Sequence, residues 1–110
     1  MPTFIRNIEF FTPDGYPGQV ARCHFALAEY RDDSFPEAGF ALPEHLARAV
    51  PKRRAEYLAG RVLARQLLAP LGFTDFTLAR GEDRAPQWPP GIAGALSHNS
   101  DTALCAVQDR

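Results

Sequence analysis

Apolar residues recur with two different periods along this chain, and the change of period divides it. Residues 3–11, Thr-Phe-Ile-Arg-Asn-Ile-Glu-Phe-Phe, have the β-branched and aromatic content of a strand. Thr12-Pro13-Asp14-Gly15-Tyr16-Pro17-Gly18 is a turn, dense in residues that preset or permit unusual φ. From Gln19 to about Tyr30 the period is two, with Cys23, Phe25 and Leu27 on one face of a second strand. Asp32 to Pro43 reads as an irregular acidic connection, and Glu44 to Val50 as a short helix. A long helix follows: Pro51 suits its first turn, and Pro70 and Gly72 end it. Phe73 to Leu78 predicts another strand, Arg80 to Pro90 a loop. Ile92 to His98 and Thr102 to Val107 then form a hairpin turning at Asn99-Ser100-Asp101. The expected fold class is α/β in the α+β sense, an antiparallel sheet packed on one long helix plus a short one.

The long helix is apolar on nearly every side, through Leu58, Val62, Leu63, Leu67 and Leu68. A helix of that kind is buried. Yet Arg48 to Arg65 carries six of the chain's twelve Lys and Arg residues against one acid, Glu56. At 100° per residue, Arg54, Arg61 and Arg65 fall within a wedge about 40° wide. Such a strip either snorkels to water or meets a phosphate or carboxylate.

Composition narrows the class. At 110 residues the chain is one domain, 1–110, and a net charge of −1 makes the basic strip local. No apolar run approaches the roughly 18 residues of a membrane span, and no secretory leader is recognisable, so a cytoplasmic protein with no membrane partner is expected. Cys23 and Cys105 stand alone in apolar runs and read as reduced core thiols. Seven acids between Glu9 and Glu44 argue against a nucleic-acid partner.

Two further stretches carry candidate chemistry. Arg80-Gly-Glu-Asp-Arg84-Ala-Pro86-Gln-Trp88-Pro89 is a proline-locked loop whose arginines could clamp a phosphate and whose Trp88 could stack a purine or plug the core. Ser97-His98 closes a predicted strand, where imidazole and turn amides can bind a phosphate.

Taken in order, Lys52-Arg-Arg-Ala-Glu-Tyr-Leu-Ala-Gly-Arg61, Arg84-x-Pro86-x-Trp88-Pro89 and Gly94-Ala-Leu-Ser-His98 resemble the 4′-phosphopantetheinyl transferases of the enterobactin synthase component D type. The likeness spans residues 24–107. It implies transfer of the phosphopantetheine arm of coenzyme A, the substrate, to a serine of an acyl or peptidyl carrier protein, with release of 3′,5′-ADP. It assigns coenzyme A contacts to Arg53, Arg61, Arg84 or Arg80, Ser97 and His98, the last also the one catalytic candidate, through a phosphate. Arg54, which the wheel alone selects, stays a lesser candidate. The family fold is a pseudo-dimer of two α/β halves, and this chain corresponds to the first, N-terminal half. The family's Mg²⁺ acids fall after the hairpin, so no metal ligand is assigned here, and Asp109 lacks their context. The expectations are a piece of a longer enzyme, inactive alone, with an apolar half-interface that drives self-association. The alternative is a non-catalytic nucleotide- or nucleic-acid-binding interaction domain.

Overall fold

A computed structural model of the chain describes residues 1–74, 78 and 85–109. Four strands, β1 (Ile5–Phe11), β2 (Gln19–Phe25), β3 (Ile92–His98) and β4 (Thr102–Asp109), form one sheet in the order β1-β2-β4-β3. Every pairing is antiparallel. One turn of helix, α1 (Ser34–Glu37), and an 18-residue helix, α2 (Pro51–Leu68), complete the α+β architecture.

The two central strands hold the core because they have partners on both sides. Their inward residues, Ala21, Cys23 and Phe25 on β2 and Ala103, Cys105 and Val107 on β4, are buried against Leu58, Val62 and Leu63 of α2. β2 is shorter than its apolar period predicts. After Phe25 no neighbour remains to pair with, since β1 begins at Ile5 and β4 at Thr102. The Phe25 and Ala26 amides donate to the Asp101 and Phe4 carbonyls, and Leu27–Glu29 turns into a 3₁₀ helix.

Periodicity fails in the same way before α2. The short helix expected from Glu44 to Val50 is a single 3₁₀ turn, Glu44–Leu46. The connection expected to be irregular contains α1. Pro51 does occupy the first turn of α2, and Gly72 takes the left-handed conformation (φ 98°) that closes the 3₁₀ turn Ala69–Leu71 after it. The strand expected over Phe73 to Leu78 falls mainly outside the described residues; Leu78 itself is buried.

α2 is buried all round because the segment between β2 and α2 covers the side that the sheet leaves open. Phe35 stacks on Tyr57 (6.4 Å, 23°), and the His45 ring meets Tyr57 edge-on at 5.5 Å. On the sheet side, Gly60 faces Leu96 of β3, 3.4 Å from where a Cβ would stand, an ordinary packing distance. No helix among the described residues is long and apolar enough to cross a membrane.

Candidate functional site

Where β3 ends beside the first turns of α2, a polar cavity of about 170 Å³ opens, lined by Arg53, Glu56, Tyr57, Gly60, Arg61, Pro86, Leu96, Ser97 and His98. Two sequence motifs meet here. The helix supplies residues at a spacing of three to four, which face one way. The strand end delivers Ser97 and His98 through a register that pairs them with Leu104 and Ala103.

Arg61 is the anchor of the site, only 8% exposed. Its Nε donates to the Leu78 carbonyl at 3.2 Å, and its guanidinium carbon lies 4.1 Å from the centroid of the Tyr57 ring. Burial pushes its pKa below the usual arginine range, and Tyr57 opposes that shift. Among the described residues no carboxylate pairs with Arg61. Taking a charge from water without a counter-ion is costly, so an arriving anion would be stabilising. Arg53 is exposed at the rim, its guanidinium 5.9 Å from the same ring. Tyr57 is thus the surface against which both arginines are arrayed.

Among the described residues Glu56 is the one carboxylate lining the cavity, and it is buried. Its Oε2 accepts from Lys52 Nζ at 2.5 Å and lies 3.2 Å from His98 Nδ1.

The structure separates Arg54 from this group, although the wheel puts it beside Arg61. Arg54 donates from Nε to the Leu46 carbonyl (3.0 Å) and from Nη2 to the Ala47 carbonyl (2.5 Å), and its Nη1 pairs with Asp32 at 2.8 Å. It ties the end of the 3₁₀ turn Glu44–Leu46 onto the helix, adding a donor to the Leu46 carbonyl, which also accepts from the Ala49 amide, and supplying one to the Ala47 carbonyl. Arg65, the third member of the wedge, lies over the Phe40 ring at 4.4 Å. Angular coincidence on the wheel does not survive the different neighbours along the helix axis. Arg80 and Arg84 lie outside the described residues. Trp88 is packed against the core, and its indole leaves no room for a side chain at Gly94. It does not line the cavity.

Glu56, Tyr57 and Gly60 were not singled out from sequence as site residues. Lys52 and Glu56 are readable as an i, i+4 pair, but nothing local says that the carboxylate is buried or that His98 arrives beside it. The described residues do not fit a Mg²⁺ site. The cavity's carboxylate is already committed to two cationic-type partners, and no group of three His, Cys, Asp or Glu side chains converges among them.

The sequence that builds this cavity has counterparts in known proteins. The family described as 4′-phosphopantetheinyl transferase N-terminal domain matches residues 42–108. The chain belongs to that family. It is 44% identical over 79 residues to 4′-phosphopantetheinyl transferase Svp of Streptomyces mobaraensis, an alignment covering 67% of this chain and 32% of that protein. It is 35% identical over 95 residues to enterobactin synthase component D of Salmonella typhimurium, covering 84% and 40%. With 4′-phosphopantetheinyl transferase PptT of Mycobacterium tuberculosis it shares 38% over 76 residues, covering 66% and 33%. The chain therefore spans a third to two fifths of these relatives.

Proposed function

We propose that the cavity between α2 and the end of β3 receives the phosphate-bearing nucleotide end of coenzyme A. The chain is then the coenzyme A-holding part of a transferase that places the phosphopantetheine arm on a serine of an acyl or peptidyl carrier protein. The observation that carries this reading is the convergence of Arg53, Arg61, Ser97 and His98 on one polar cavity.

Size and charge together select the ligand class. At about 170 Å³ the cavity is smaller than the roughly 300 Å³ at which small-molecule pockets begin, so it suits a phosphate and its ribose and not a whole cofactor. Guanidinium forks pair with phosphate oxygens through two parallel hydrogen bonds, which a point charge cannot do. Arg61, held from behind by Leu78 and Tyr57, keeps its remaining donors fixed at little entropic cost on binding. Arg53 adds a mobile charge at the rim. The Ser97 hydroxyl and a protonated His98 ring supply further donors. In the reaction these groups bind and orient the donor substrate and hold the charge of the departing nucleotide. Mg²⁺, implied by the family, would supply charge stabilisation from ligands outside this cavity.

Thermal denaturation of the purified chain tests the reading. Coenzyme A should raise the melting temperature, and dephospho-coenzyme A, which lacks the 3′-phosphate, should raise it less. Equal shifts from both, or none from either, would remove the 3′-phosphate from this cavity. Steep salt-dependent binding of RNA without any response to coenzyme A would favour the nucleic-acid alternative instead.

A further inference from the structure

Resting on that reading, we infer that Glu56 is a positioning residue, whose buried carboxylate fixes the tautomer of His98 and so presents Nε2 to the ligand. The argument begins from what Glu56 does that stability alone does not require. Its side chain is 6% exposed, whereas those of Lys52 and His98 are 47% and 44% exposed. An i, i+4 ion pair with Lys52 could form on the open surface. Instead the carboxylate is turned inward, and a single oxygen, Oε2, serves Lys52 on its own helix and His98 on the sheet edge opposite.

That geometry has one consequence for the imidazole. A carboxylate carries negative charge and no hydrogen, so the ring is favoured with its hydrogen on Nδ1, the nitrogen 3.2 Å away, and disfavoured with a lone pair there. The alternative neutral tautomer, with hydrogen on Nε2 alone, would set the Nδ1 lone pair against the carboxylate. In a neutral imidazole the state of one ring nitrogen decides that of the other. With the hydrogen held on Nδ1 by the nearby charge of Glu56, Nε2 is left to serve a ligand. When the ring is protonated, Nε2–H donates to a phosphate oxygen while the positive charge rests beside Glu56. Among the described residues, the other charged or titratable groups lining the cavity are Arg53, Tyr57 and Arg61 on α2. Lys52 Nζ holds the same oxygen, Oε2, at 2.5 Å.

The test has two arms. Long-range ¹H–¹⁵N spectra of the chain, at a pH where His98 is neutral, should show the Nδ1–H tautomer in the wild type and its replacement by Nε2–H in E56A. Calorimetric titration with 3′,5′-ADP should show about tenfold weaker binding for E56A and for H98A, the scale of one lost hydrogen bond to a charged group. The double variant should be no weaker than the worse single one by more than about twofold, because both changes remove the same oriented ring. If alanine at position 56 does not fold, E56Q keeps the shape without the charge, and the same non-additivity with H98A is expected. An Nε2–H ring in the wild type, or losses that multiply, would overturn the positioning role. Wild-type chain that ignores 3′,5′-ADP would instead sink the nucleotide reading, leaving the tautomer spectrum to decide the fate of Glu56.

Discussion

The two openings beside α2 differ in almost every respect. At the C-terminal end lies a groove of about 510 Å³ whose lining includes Phe10, Pro17, Leu67, Pro70, Leu71 and Val107. At the N-terminal end lies a cavity a third that size, lined by two arginines, a buried glutamate, a tyrosine and a Ser-His pair. The larger one adds Thr12, Gln19, Gln66, Gln108 and Asp109 to that lining, but no cationic side chain among the described residues. The smaller one holds preorganised charge, and charge held in a partly dry, fixed geometry is what recognises a phosphate. Volume alone would favour the larger one; the proposed nucleotide site is the smaller.

The sharpest way to break this comparison is to disarm the smaller opening. R61A should weaken 3′,5′-ADP by about 10- to 100-fold, the scale of losing one or two hydrogen bonds to a charged group. R61K keeps the charge but loses the fork, and should still cost about tenfold. Binding unchanged in both, by calorimetry, would move the ligand elsewhere.

A smaller and qualitatively different effect is expected from Arg54. R54A removes the guanidinium donors to the Leu46 and Ala47 carbonyls, Leu46 keeping the Ala49 amide, and should lower stability by about 1–3 kcal/mol in urea denaturation. The preference for coenzyme A over dephospho-coenzyme A should persist. A lost preference with unchanged stability would make Arg54 a ligand residue after all. The same clamp sets a slight pH dependence. Hydrogen bonds from Arg54 and from the Tyr30 hydroxyl hold the Asp32 carboxyl below its ordinary value. A depressed folded-state pKa stabilises the fold above the unfolded value of roughly 3.9, and that contribution disappears as pH falls through the folded value. D32N should therefore flatten the acid limb of the stability curve below about pH 4. The change should be slight, because the Asp32 side chain is more than half exposed. An identical acid limb in D32N would show that the carboxylate is not engaged in solution.

How far the sequence reaches follows the same division. The long helix, its proline start and the final hairpin were all legible, because each rests on local signals: a fixed φ, a strong period, a turn between two apolar runs. The end of β2 was not, since strand length depends on where β1 and β4 stop. At the site, Arg53, Arg61, Ser97 and His98 were selected by resemblance, and the structure brings those four to one cavity. The helical wheel alone gave Arg54 and Arg61 equal standing, although Arg54 lies beside the carbonyl end of a 3₁₀ turn and Arg61 beside Tyr57 and Leu78. Glu56 was visible as a lone acid in a basic run. Its burial and its reach to His98 are tertiary facts, with no local trace.

The central claim is that the small polar opening, not the large apolar one, takes the nucleotide. Amide and side-chain chemical-shift mapping with 3′,5′-ADP tests it directly. The account predicts the largest shifts at Arg53, Glu56, Arg61, Ser97 and His98, with Gln66, Leu71 and Gln108 unmoved. Shifts concentrated on the latter three would contradict it.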